Sequence, residues 1–181
     1  ALGRRVRQTG GAEAAHAMNS VANALQNMGE DEEAIELYEA AAAGFEAAGD
    51  EANAANARFN LAVSLMALTR YAEARPLLEA VLAFETERHG AEHERTLSTR
   101  MGLAVCMKNM GDAEGAMREE EAVLAAMTRT LGPTHESTLV SRFNLATSYA
   151  NAGDYDRAAR EKQAVVEAYT ATLGPRHAET L

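Results

Sequence analysis

A period of 42 residues runs through this chain, and few folds can carry one of that length. The stretch LGPTHESTLVSRFNLA, from Leu131 to Ala146, matches HGAEHERTLSTRMGLA, from His89 to Ala104, at eight of sixteen positions. His93, His135 and His177 keep the step, as do Thr96-Leu97, Thr138-Leu139 and Thr180-Leu181. So do Arg58, Arg100 and Arg142, then Leu61-Ala62, Leu103-Ala104 and Leu145-Ala146, and then Ala74, Ala116 and Ala158. NMGD at Asn109 to Asp112 returns as NAGD at Asn151 to Asp154. NMGE at Asn27 to Glu30 joins through a shorter step of 40, which brings Ala22 and Ala34 into register. Four units result, at about 13–52, 53–94, 95–136 and 137–178. Self-similarity at such a period is the mark of stacked supersecondary units.

Each unit reads as two helices. In the fourth, Phe143, Leu145, Ala146 and Tyr149 form an apolar stripe at helical spacing. Gly153 suits the left-handed residue that closes this helix, and Asp154 suits the cap of the next. The second helix carries Tyr155, Ala158, Ala159, Val165, Val166 and Tyr169, and Leu173-Gly174-Pro175 stops it. Small residues such as Ala62 and Ala74 let two helix axes approach closely. Aromatic residues make up only 5% of the chain and Trp is absent, too little β-forming material for a large sheet. The fold expected is all-α: a right-handed solenoid of antiparallel helix pairs, with four repeats and the start of a fifth at His177 to Leu181.

The formal net charge of −10 repels phosphate backbones, which argues against nucleic acid as a partner. The basic cluster GRRVR at Gly3 to Arg7 falls in residues 1–12, expected to be a flexible N-terminal segment before a single repeat domain at 13–181. One cysteine excludes an intramolecular disulfide, and no apolar run approaches the ~20 residues that span a bilayer. These features favour a cytoplasmic chain with no membrane partner.

Chemical readings find little support. HERTL and HESTL open like a zinc-protease helix, but leucine stands where the second histidine is required. Stacked repeats set equivalent histidines roughly 10 Å apart, too far for three of them to share one ion. His93, His135 and His177 are therefore read as junction residues, capping a helix start or bonding the preceding loop, with no metal and no cofactor. Cys106 lies on an apolar helix and reads as core. Glu119, Glu120 and Glu121 read as a solvated face, since helical neighbours point in different directions. Arg58, Arg100 and Arg142 admit two roles: holding a carboxylate of an adjacent helix, or lining an anion-binding stripe.

The pattern of Leu-Ala, a glycine seven residues on and an alanine five further resembles the tetratricopeptide repeat. The standard unit has 34 residues, and a 42-residue unit closing in LGPxH and reopening as TLxxRxxLA is similar to the kinesin light chain class and to arrays in actinobacterial signalling proteins. The resemblance implies a non-catalytic scaffold that binds protein or peptide in a concave groove lined by the first helix of each unit. Carried over, the groove positions are Asn19 and Asn23, then Asn56, Phe59, Val63 and Met66. They continue as Met101, Val105 and Lys108, and finish with Phe143, Thr147 and Asn151. Asn60 and Asn144 stand at the position of an asparagine ladder known in some relatives, which Gly102 interrupts. The resemblance leaves a second role open, as the sensor segment of a larger signalling ATPase. An uncapped last repeat further suggests a piece of a longer protein or self-association through that end.

Overall fold

The structure, a computed structural model, describes residues 2–173, with side chains from 11 to 171. Eight α-helices and no strand occur among the described residues: α1 (Leu2–Met28), α2 (Asp31–Ala48), α3 (Glu51–Ala67), α4 (Tyr71–His89), α5 (Glu94–Asn109), α6 (Ala113–Thr130), α7 (Glu136–Asn151) and α8 (Tyr155–Leu173). The segment before residue 13, expected to be flexible, has helical backbone from Leu2 onward as part of α1. His177, Thr180 and Leu181 lie outside the described residues.

The breaks between helices follow from single residues. Asp50, Asp112 and Asp154 each accept the backbone N–H three residues on, at 3.1, 2.9 and 3.0 Å, satisfying donors that a helix start leaves open. The Arg157 backbone N–H and then its guanidinium hold the Asp154 carboxyl below the usual carboxylate range. The turn within a pair needs one left-handed residue. Gly111 and Gly153 take it at φ 103° and 82°, whereas Thr69, in register with them, holds φ 60°. A side chain at that conformation costs roughly 1–2 kcal/mol relative to right-handed helix. The Arg70 N–H still reaches Leu65 O at 2.8 Å and closes α3.

Backbone contacts divide the chain into two compact units, 1–84 and 85–181. In the first, α2 packs on both α1 and α3, and α1 also meets α3. Ala15, Ala41, Ala42, Phe45, Ala54 and Ala57 form its core cluster, with Met18 against it. In the second, α5 packs on α6, α6 on α7 and α7 on α8, while α5 also meets α7. Leu97, Met101, Val123, Ala126 and Met127 make one cluster there; Leu124, Leu145, Tyr149 and Ala158 make another that ties α6 to α7 and α8. Burial of one large apolar side chain contributes about 1.5–3 kcal/mol. The repeated alanines on the two helices of each pair, Ala22 and Ala34 through Ala146 and Ala158, are all buried.

Candidate functional site

The repeated arginines each meet a carboxylate. Arg100 Nε donates to Glu119 Oε1 at 2.6 Å and Arg142 Nη1 to Glu161 Oε2 at 2.6 Å, both reaching from the leading helix of a pair to the second. Leu77 occupies the matching place in the second pair. Arg58 turns instead to Glu46 on α2. A guanidinium already bonded to a carboxylate offers fewer donors to an outside anion.

The repeated histidines sit at helix starts. His93 Nδ1 accepts the Arg95 backbone N–H at 3.2 Å, and His135 Nδ1 accepts that of Ser137 at 3.3 Å. Each imidazole thus does at α5 and α7 what Asp50 does at α3. His93 also stacks on His89, with ring centroids 4.4 Å apart, and the His89 Nε2 lies 3.5 Å from the buried Glu85 carboxylate. No three His, Cys, Asp or Glu side chains cluster as a metal site among the described residues.

One expectation is overturned. Glu120 does not belong to a solvated face: it is 0% exposed, while Glu119 is half-buried and Glu121 exposed. Three consecutive helical residues span most of a turn, so one of them must face inward where α6 is covered on that side. Lys108 Nζ lies 3.6 Å from Glu120 Oε1 and 3.2 Å from Ser148 Oγ, joining α5, α6 and α7 in one polar layer.

The same register positions in the first unit hold a different layer. Gln26, Tyr38 and Ser64 stand where Lys108, Glu120 and Ser148 stand in the second. There Gln26 Nε2 donates to Ser64 Oγ at 2.9 Å, and the Tyr38 hydroxyl donates to Asn23 Oδ1 at 2.7 Å and Gln26 Oε1 at 3.1 Å. Burial, and then the Asp31 charge, pushes the Tyr38 hydroxyl up to about 12. In the second pair these positions are Met66 and Leu78, and Cys106 follows at the hydroxyl position. Cys106 is buried. Sequence reading missed this layer; its only signal was that two positions change character together from pair to pair.

The groove residues carried over from the resemblance divide by unit. In the first, Asn60 Nδ2 donates to Asn23 Oδ1 at 3.1 Å and Asn56 Oδ1 at 3.3 Å, linking α1 to α3. Asn19 Oδ1 is buried without a hydrogen-bond partner among the described residues. Phe59, Val63 and Met66 are half-buried beside them. In the second unit Met101 is only 7% exposed and belongs to the α5–α6 core, although its edge lines a cleft of about 240 Å³ with Ser98, Ser137 and Val140. Val105, Asn144 and Thr147 are half-buried, Phe143 and Asn151 exposed, and Lys108 is committed to the polar layer.

Comparison with known proteins fits this geometry. A tetratricopeptide repeat profile matches residues 50–121, and a second matches 14–48 and 138–179. No curated protein matches the chain. Among solved structures, a variant of a kinesin light chain protein of Podosopora anserina with nearly identical TPR-like repeats is 27% identical, with a TM-score of 0.69 over 88% of this chain and 76% of that one. BtubC (BKLC) from P. vanneervenii, 16% identical, aligns with a TM-score of 0.71 over 98% of this chain and 76% of that one. The apo form of RapI, 15% identical, gives 0.74 over 89% and 57%. The last two show the fold alone, an all-α helical repeat solenoid.

Proposed function

Because the chain belongs to the tetratricopeptide repeat family, of the kinesin light chain type, we propose that it is a non-catalytic protein-interaction scaffold whose leading helices take a peptide. Repeats of this kind generally bind protein or peptide partners, and no described helix is long and apolar enough to cross a membrane. The observation that carries the finer reading is the amide face of the first unit. Asn60 fixes the Asn23 and Asn56 side chains through its Nδ2, and among the described residues those bonds leave the Asn60 Oδ1 and the other two amide N–H groups available. An oriented amide can pair with a peptide backbone N–H or C=O whatever the side chains nearby. Asn56, Phe59, Asn60 and Val63 follow the i, i+3, i+4, i+7 spacing of one helix face, so apolar contact lies beside the amides. Ordered amides also lose less freedom on binding, which favours affinity.

The test is selection of a displayed random-peptide library on the wild-type chain, followed by anisotropy titration of the recovered peptides. The variant Phe59→Ala/Asn60→Ala, checked for intact helicity, is expected to lose about tenfold in affinity, the size of one moderate hot spot. Peptides that bind this variant as tightly as wild type reject the reading.

A further inference from the structure

A cleft inside the second unit carries a buried hydroxyl that nothing answers. It has a volume of about 240 Å³ and opens where α5, α6 and α7 meet, with Met101, Met127 and Val140 as its apolar wall. Met101 and Met127 belong to the α5–α6 core, which fixes their place. Ser98, Ser137 and Ser141 supply the polar part of the lining. Ser141 is 1% exposed, and its Oγ has no hydrogen-bond partner among the described residues. Thr99, its counterpart 42 residues earlier, is equally buried but donates to Arg95 O at 3.0 Å. So α5 satisfies its own buried hydroxyl, and α7 leaves the same position to the cleft.

The lining selects its ligand by elimination. A purely apolar occupant would shut the Ser141 hydroxyl against carbon and leave it unpaired, which is costly. Glu136 also lines the cleft but is exposed, at the edge. A cationic tip that reached buried Ser141 would leave that carboxylate behind, and an anionic tip would be repelled by it. A carboxamide is neutral and brings two N–H donors beside an acceptor oxygen, a match for three hydroxyls. A phenol brings one donor only. Ser137 already donates its proton to Glu94 Oε1, so towards the cleft it accepts. An unbranched methylene stem suits the two thioethers, which bend to follow an irregular occupant. A cavity of about 150 Å³ holds a benzene ring, so the space admits one such side chain.

We propose that this cleft takes the glutamine side chain of a bound peptide, with its methylenes against Met101 and Met127 and its carboxamide on Ser141. The peptide as source extends the reading of the leading helices to the second unit and rests on it, whereas the fit of a carboxamide does not. Ser98, Met101, Met127 and Ser141, which make the contact, stand on α5, α6 and α7, so the cleft is internal to the unit whatever borders α7 on its other side.

The probes are single capped residues, which report on the cleft alone: N-acetyl-glutamine N-methylamide and its methionine, glutamate and tyrosine analogues. Each is titrated into the full chain with isotope-labelled methionine methyls. The glutamine probe is expected to shift the Met101 and Met127 signals at millimolar concentration. It is expected to bind roughly fivefold more tightly than the methionine probe, the size of one net hydrogen bond. Ser141→Ala, which removes one hydroxyl and keeps a good helix former, is expected to erase that preference and leave the methionine probe unchanged. Absent shifts at Met101 and Met127, equal binding of the glutamine and methionine probes, tighter binding of the glutamate or tyrosine probe, or a preference that survives Ser141→Ala would each overturn the assignment. Failure of the amide face to bind peptides, with these shifts intact, would keep the carboxamide site and strike its peptide source.

Discussion

The two units solve one packing problem in two ways. Where a second helix meets its own leading helix and the next, the first unit places a neutral set, Gln26, Tyr38 and Ser64, and the second a charged set, Lys108, Glu120 and Ser148. The neutral layer has its Tyr38 hydroxyl bonded to two acceptors. In the charged layer neither Glu120 oxygen has a hydrogen-bond partner among the described residues, and the lysine stands 3.6 Å away. The backbone tolerates either, so the layer fixes which neighbour suits which pair and leaves the fold unchanged. A polar layer of this kind costs stability unless every member is matched.

The sharpest way to break the comparison is to remove one charge. Lys108→Met leaves Glu120 buried and unpaired, and urea unfolding is expected to show a loss of about 3–5 kcal/mol. The double change Lys108→Met/Glu120→Leu, which installs the residues of the second pair, is expected to restore wild-type stability or exceed it. A double variant as weak as the single would mean that the ion pair itself stabilises.

The neutral layer should respond to alkali instead. The Tyr38 hydroxyl is raised in the folded chain to about 12, and Tyr149, held up first by burial and then by its hydrogen bond to Glu121, reaches about 12 as well. Their contribution is complete below the ordinary tyrosine value near 10 and is lost as pH rises from there through about 12. Denaturation midpoints at pH 9.5 and 11.5 should therefore fall less far for Tyr38→Phe than for wild type. At neutral pH the same change removes the hydroxyl from two acceptors and is expected to cost about 1–2 kcal/mol.

Helix starts extend the comparison to smaller effects. The first unit caps α3 with Asp50, the second caps α5 and α7 with His93 and His135. His135→Ala is expected to cost about 1 kcal/mol by urea unfolding, and Asp50→Ala a similar amount. The smallest change sharpens the turn difference: Thr69→Gly, which removes a side chain from φ 60°, is expected to stabilise the chain by up to about 1 kcal/mol. A loss of stability there would show that the threonine side chain makes a contact worth more than its strain.

The helices were legible because the 42-residue step repeats both the apolar stripe and its punctuation, with Gly153-Asp154 and Gly111-Asp112 marking breaks that local chemistry enforces. Which side of a helix is covered was harder to read. Glu120 looks like its neighbours in the sequence, and the packing of α6 between α5 and α7 takes it out of water. Met101 and Phe143 share a register position, yet one is core and the other surface, a difference that neither residue type announces. The carboxylates opposite Arg100 and Arg142 lie nineteen residues on, whereas Arg58 finds Leu77 there and reaches backward, a choice that periodicity alone does not announce.

The buried alanines have a consequence for how such a chain can change over time. A methyl group is already the smallest side chain that keeps a helix firm, so substitution along that seam can only enlarge it, forcing two axes apart, or reduce it to glycine and loosen both. Drift at the histidines, the arginines or the open faces meets no comparable wall. In a descendant whose other repeats have blurred beyond notice, Ala22 with Ala34 and Ala146 with Ala158 would be the last marks by which its old meter could still be counted.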